Sequence, residues 1–578
     1  MDKLCLKFIF IGVLLTPIVS FAQNISLEPI TIEKKYSGDS VQNKEYIYPK
    51  DTVCFSLEEV IDSSSSIDLN KRSAFGIQQD LSLRGSIFED SSINLEGIEI
   101  NDPQTGHFSL ELPLTIADLE KAEIIKNSQK LNFRVKKPKY KGLLLKTSFG
   151  QHALFEELVS VNFGLKNIKN RFSVEHKTAK GGKQDTDFEI YNLSFNSLFE
   201  AEDKEIEFLF GALKKDFGAG NFYASSFPQE EEHITQRFFS LRTALKKESF
   251  DLNNTLYFRR HTDKFILNRD NPPFYTNYHT SYVQGLNSEI DFDNNLFFAF
   301  DLKREKVTST NLGCRQRDKQ GIGAGIKKKQ IGNFVINLEA GLDCASEWDC
   351  LERGRLDLGY PLSDNLKLKF SYSRLWRPPS FTELYYSSVS DRGNENLKVQ
   401  KSNNFELGAG YSPWHNFDLS LCGFLRDQQA TIDWVKNISS NPWQAENVGD
   451  IKAYGFDFYI EARPNSSFLK QVGIGYTYLE LDKNSPYNFS KYVFGYNRHK
   501  LTSNLGFDVK GITLKLISCF SNPVDRKNYT TVDLKIEKEI ANFTLSLEGA
   551  NIFNKDYQEM KDIEAQGRWY KLTLTHSF

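Results

Sequence analysis

Residues 79–127 read QDLSLRGSIFEDSSINLEGIEINDPQTGHFSLELPLTIADLEKAEIIKN, and the reading of this stretch decides the fold. Short apolar alternations, Ile93 with Leu95 and Ile98 with Ile100, are interrupted by Glu96-Gly97 and by Asn101-Asp102-Pro103. A period of two marks strands, and Gly and Asn-Asp-Pro mark the turns between them. The residues predict a small, tightly turned β/α unit.

Around it lies a chain of 578 residues, enough for several average domains or for one very large barrel plus a smaller unit. Phe and Tyr number 46 and 25 against 2 Met, a balance that suits strands better than helices. The net charge of −3 gives no basic footprint, so a nucleic-acid partner is not expected. Past the N-terminus no run reaches the roughly 18 apolar residues of a membrane helix, which argues against a helical membrane protein. An outer-membrane β-barrel stays open, because its strands are only half apolar.

At the N-terminus, Lys3 and Lys7 precede an apolar run from Phe8 to Val19, and Ser20-Phe21-Ala22 places small residues where a signal peptidase reads. A signal peptide over residues 1–22 is expected. Six cysteines follow it, scattered in neither a zinc pattern nor a dense disulfide framework. Cys344 and Cys350 could meet across a turn at Ala345 to Asp349, or stay as buried or lipid-facing thiols.

Residues 23–50 are polar and aperiodic, as an extended tail should be, apart from the patch Leu27-Glu28-Pro29-Ile30-Thr31-Ile32. Ser56 with Glu59 three positions later reads as a capping box that starts a helical turn. From Lys141 onward period-two alternation dominates. Ile206, Phe208 and Phe210 alternate with Glu207, Leu209 and Gly211; Phe456, Phe458 and Ile460 alternate with Asp457, Tyr459 and Glu461. One apolar and one polar face suit a barrel with a wet interior, and equally a soluble β-sandwich.

The words LSLRGS, INLEGIEINDPQTGH and LEKAEIIKN resemble the plug domain of TonB-dependent outer-membrane receptors. Further words resemble the barrel of that family: FSYSRLWRPPSFTELYY with GNENLKVQKSNNFELG, YTYLELD with YVFGYNRHKL, and GANIFNKDY with GRWYKLTLTHSF. The resemblance implies an all-β transmembrane fold, an antiparallel outer-membrane barrel of about 22 strands with a small N-terminal α+β plug inside it. Shared among 22 strands, residues 141–578 leave roughly 20 residues for each strand and its connection, which accommodates a spanning strand of roughly 9–11. The domains expected are the signal peptide 1–22, a periplasmic tail 23–50, the plug 51–137 and the barrel 138–578.

The resemblance also assigns roles. Pro29, Ile30, Thr31 and Ile32 stand where the family carries its TonB box, which pairs with TonB by strand addition. Arg84-Gly85 matches the family's Arg-Gly pair, and Lys121 falls where a second Arg is usual, before Glu123. Such plug cations face carboxylates on the barrel wall; Lys keeps the charge and loses the planar fork. Gly97, Asn101, Asp102 and Pro103 complete the plug words. Between Gly106 and Gly142 there is no glycine, where the family has a glycine-rich run, so the last plug strands are expected to be shortened or replaced. Tyr570, Leu572, Leu574 and Phe578 share one face of a terminal amphipathic strand resembling the signal read by the outer-membrane assembly machinery.

No catalytic or metal-ligand spacing is found, and no cofactor motif, so an enzyme is not expected; His107 and His499 read as structural. The resemblance implies a receptor that imports a scarce nutrient, cobalamin or an iron–siderophore complex, with energy drawn from the inner-membrane proton gradient through TonB. The compact size leans toward cobalamin. The alternative is an uncoupled surface-binding or pore protein with a reduced plug. Partners implied are TonB, outer-membrane lipid, the assembly machinery and a small-molecule ligand.

Overall fold

The computed structural model describes residues 44–223, 228–483, 485–493 and 495–578. Residues 1–22 and the Pro29–Ile32 patch lie outside the described residues. From Lys141 the chain forms a closed barrel of 22 strands joined antiparallel in sequence order. The last strand, Trp569–Ser577, closes it on the first, Lys141–Gly150, with Lys571 opposite Gly150 and Ser577 opposite Leu144. Phe578 and Leu143 continue the seam by exchanging backbone hydrogen bonds of 3.1 and 2.9 Å.

The period-two pattern sorts the two faces. On the last strand Leu572 and Leu574 are about half exposed, as is Phe578 beyond it, while Lys571 and Thr573 are buried inside. On the strand Lys204–Gly218, Ile206 and Phe208 face out, and Glu207 and Leu209 face in. Phe163, Phe298, Phe405 and Phe543 add to the apolar exterior. An apolar outer band around a polar interior is the surface a bilayer requires of a barrel.

Inside sits the plug. Its strands are β1 (Lys44–Ile47), β2 (Ile67–Lys71), β3 (Gln79–Leu83), β4 (Ser92–Leu95), β5 (Ile98–Glu99), β6 (Leu119–Ile125) and β7 (Lys130–Val135). Five form a mixed sheet in the order β1-β6-β7-β4-β5, in which β4 and β7 run parallel; β2 and β3 form a separate hairpin. Ile61, Leu95, Leu119, Ile124 and Phe133 make a core that extends without a break onto Leu209, Phe238, Tyr257 and Val283 of the barrel wall. The plug therefore buries its apolar surface against the wall as well as within itself.

Three expectations are modified here. The segment read as tail reaches into the plug: Lys44–Ile47 pairs antiparallel with β6, so the plug sheet begins at Lys44 rather than at residue 51. A polar text hid this strand because its pairing partner lies some 80 positions away. The helical turn after Ser56 is a 3-10 segment, Glu58–Ser63, and the helical part of the plug consists of such short segments among the described residues. Ser56 Oγ accepts the Glu59 amide at 3.4 Å, and Glu59 accepts the amide of Phe55 rather than of Ser56, at 2.9 Å. The reciprocal cap survives with its return bond displaced by one residue. The glycine-free run, finally, is replaced rather than lost. β6 and β7 pair over most of their length, and the left-handed position of their turn is taken by Gln129, at φ 48 and ψ 39.

A left-handed conformation costs a residue with a Cβ about 1–2 kcal/mol. Gln129 is also buried, and its side-chain amide nitrogen has no hydrogen-bond partner. Gln129→Gly is expected to stabilise the protein by about 1 kcal/mol, the strain and the unpaired amide outweighing the added freedom of glycine when unfolded. The urea midpoint of plug unfolding measures this; an unchanged or lower midpoint counts against it.

Candidate functional site

The site is the contact of plug and wall. β3 ends at Leu83 and the chain reverses at once, with Arg84 at φ 50 and Gly85 at φ 68. Both are left-handed. At Gly85 a Cβ would stand 2.6 Å from a terminal methyl of Leu479 on the wall, so glycine suits the left-handed backbone and lets that side chain pack close. The reversal drives Arg84 into the wall. Its guanidinium donates to Asp457 at 3.0 and 2.6 Å and to Glu406 at 2.5 Å, and lies 4.0 Å over the Phe424 ring. These three charged groups are almost fully buried. Both Asp457 bonds converge on Oδ2, so the planar fork bridges two wall carboxylates, a pattern of charge-assisted bonds that the point charge of a lysine does not reproduce.

The second cation at this seat is Lys126. Its Nζ lies 3.2 Å from both Asp457 and Glu45. Lys121, the residue aligned with that role, is half-buried with its Nζ 4.8 Å over the Tyr46 ring of β1. The register of β6 on β7 shifts between Leu119 and Lys121, which breaks the alternation that sequence spacing assumes. Glu123 likewise stays within the plug, paired with Arg134 at 3.2 Å and accepting from Asn132 at 3.0 Å.

Elsewhere the polarity is reversed, with wall cations on plug carboxylates. Asp102 accepts from Arg259 and Ser281, both at 2.6 Å, and its other oxygen caps the Gln104 amide at 2.9 Å. Asp118 accepts from Arg171 at 2.9 Å and from Ser173 and Ser194. Glu111 meets Lys215 at 2.7 Å, and Asp90 meets Arg377 at 3.0 Å. Sequence reading took Asp102 for a turn residue alone. The signal was present in the strand phase, since Arg259, His261 and Asp263 alternate with Phe258 and Arg260 on the strand Phe250–Ile266.

The remaining plug residues hold turns. Asn101 accepts the Ile93 amide and donates to the Ser91 carbonyl, each at 2.7 Å. Glu96 and Gly97, both at positive φ, form the two-residue turn between β4 and β5. Pro103 and Gln104 offer their carbonyls to the first amides of the short helix Phe381–Tyr385 in a long barrel loop, at 3.0 Å each. His107 stacks on Phe88 and bonds Asp80 at 2.6 Å. Burial raises the Asp80 carboxyl, but His107 and Arg72 hold it down at about 2. Its ionised form thus contributes stability above the ordinary carboxylate range, lost as pH falls toward that value.

Over the plug apex three long loops join in one sheet. Asp391–Arg392, Trp443–Asn447, Ile432–Lys436 and Phe489–Ser490 are its strands. Ile87 of the plug packs against Val435, Val448, Ile451 and Val493 from these loops and the wall. Cys344 and Cys350 are disulfide-bonded beside the turn that joins their two strands, at the same rim.

Residues 352–552 match the family model described as TonB dependent receptor-like, beta-barrel. Over these residues, about a third of the chain, the barrel is similar to that of TonB-dependent receptors. Over 238 residues it is 28% identical to the vitamin B12 transporter BtuB of Photobacterium profundum, a match covering 39% of this chain and 37% of that relative. The match thus spans little more than a third of the relative's length. Among solved structures, the siderophore receptor PirA from Acinetobacter baumannii superposes with a TM-score of 0.75 at 12% identity, covering 93% of this chain and 98% of that one. The copper transporter OprC superposes at 0.78 and 13% identity, covering 93% and 99%. At such identities these structures speak for the fold. By name these relatives are transporters and receptors, not enzymes.

Removing Arg84 would strand Asp457 and Glu406 in the interface. Breaking a buried pair from one side costs about 3–5 kcal/mol. Arg84→Ala is expected to loosen the plug and raise single-channel conductance in planar bilayers, Lys126→Ala to do so less, and Lys121→Ala to leave conductance unchanged. Unchanged conductance and stability in Arg84→Ala would remove it from the seat.

Proposed function

We propose that the protein is an outer-membrane transporter that takes up a scarce nutrient, a cobalamin or an iron–siderophore complex, with energy delivered through TonB. The observation that carries this reading is the buried seat of Arg84 and Lys126 on Asp457 and Glu406. A barrel whose lumen is filled and latched in this way does not pass a bulky solute passively. The plug must be displaced, and the outer membrane has no nucleotide to drive displacement.

The same seat suggests how force from the periplasm would reach the latch. β1 is the edge strand of the plug sheet, held by four residue pairs to β6. A pull on residues before Lys44 loads this strand first. Within it, Glu45 shares Lys126 with Asp457, the carboxylate that also holds Arg84. Peeling β1 would withdraw Glu45, leave Lys126 less well held, and weaken the grip on Arg84. Such short edge pairing yields before the plug core, because few contacts oppose it.

The uncoupled reading turns on whether the Pro29–Ile32 patch acts as a TonB box and on the glycine-free run. The second support is reduced, since β6 and β7 form a paired hairpin. The first is decided by strand addition at Pro29–Ile32. Added strands need free backbone N–H groups, which proline lacks. Ile30→Pro and Ile32→Pro are expected to abolish uptake while ligand still binds at the cell surface, and Ile30→Val to be nearly silent. Thermal stabilisation against a panel of cobalamins and ferric siderophores identifies the ligand for that assay. Normal uptake in both proline variants, or in cells lacking TonB, would put the uncoupled protein first.

A further inference from the structure

A cavity of about 110 Å³ lies between the plug and the wall on the side opposite the Asp102 contact, beneath the loop that contributes Asn551, Tyr557 and Gln566. Its lining holds five carboxylates, Glu59, Asp62, Asp68, Asp533 and Glu559, against two ammonium groups, Lys71 and Lys500. Both lysines are engaged. Lys71 lies 2.6 Å from Asp62 and 3.7 Å from Glu559; Lys500 lies 3.7 Å from Asp62 and 3.6 Å from Asp68.

Glu59 of the plug and Asp533 of the wall remain. Glu59 accepts the Phe55 amide, and Asp533 accepts the Asn551 amide at 2.7 Å. Among the described residues neither forms an ion pair. Three further lining groups carry an unpaired atom, among them Gln566 Oε1. Asn497 is 8% exposed; its amide nitrogen donates to Asp68 at 2.8 Å, and its Oδ1 meets nothing. Trp569 is 3% exposed, and its indole N–H is unpaired. Buried polar groups usually find a partner, and these meet none within the protein.

We propose that this cavity binds a small primary ammonium compound that bridges plug and wall. Glu59, Asp533 and Asn497 Oδ1 are all acceptors, so the occupant that meets them is a donor. A primary ammonium group meets such acceptors through its own N–H donors. The cavity is smaller than the ~150 Å³ site that takes benzene, which limits the occupant to a handful of heavy atoms. An ammonium group supplies donors for Glu59, Asp533 and Asn497 Oδ1; a hydroxyl on the same molecule accepts the Trp569 N–H. Phe75, Tyr529 and Tyr557 also line the cavity. An amino alcohol meets all of these demands.

The test uses the full-length protein in detergent, followed by thermal unfolding and calorimetry, and does not depend on TonB or on the imported nutrient. Ethanolamine is expected to raise the unfolding temperature saturably, methylammonium to do so at higher concentration, and ethylene glycol, sodium and calcium at matched ionic strength to do neither. Asp533→Asn and Asn497→Leu should each weaken ethanolamine binding about tenfold or more, the loss expected from removing one hydrogen bond to a charged group. Heat-modifiable migration on gels confirms that each variant keeps its barrel. No saturable response to either amine, an equal response to calcium or ethylene glycol, or full binding by both folded variants would overturn the proposal.

Discussion

A closed sheet of 22 strands encloses more space than its own inward side chains can fill. That geometric fact governs the rest of the molecule. The inward face of every strand must meet water or another part of the chain, and here it meets the plug. The plug in turn is too thin to bury its own apolar surface, since it has a five-stranded sheet, a hairpin and short 3-10 segments. Its core closes only by borrowing Leu209, Phe238, Tyr257 and Val283 from the wall.

Such an interface cannot be wholly apolar, because the barrel interior alternates polar residues with small and apolar ones along each strand. Charges are therefore paired across it in both senses. Arg84 and Lys126 reach out from the plug to Asp457, while Arg259, Arg171 and Lys215 reach in from the wall to Asp102, Asp118 and Glu111. Pairs of this kind gain little over apolar packing of the same volume, yet they penalise every misplacement, because a shifted plug strands buried charges. They define one seat, which is what a reversible stopper needs.

At the long-loop rim the same logic is applied to backbone groups. The helix Phe381–Tyr385 directs its free N-terminal amides to the Pro103 and Gln104 carbonyls. Helix and turn each satisfy what the other leaves open. The sheet shared by three loops then ties the rim together above Ile87, so loops that are separate in sequence act as one cover.

The sequence by itself determined the strand alternation, while the resemblance of its plug and barrel words pointed to the barrel and to Arg84. Period-two alternation is a local property set by strand geometry, and it assigned Phe208, Asp457, Leu572 and Lys571 to their faces without any partner strand. Turn chemistry was local too, as at Glu96-Gly97. What only the tertiary structure decided depends on register between distant segments. Lys44–Ile47 is a strand because β6 is there to pair with it. Lys126 displaces Lys121 because a register shift rotates the strand, and Gln129 stands in for a glycine because hairpin pairing outweighs its strain. Asp102 found Arg259 across 157 residues. No spacing rule encodes that meeting, because the wall selects its partner in three dimensions.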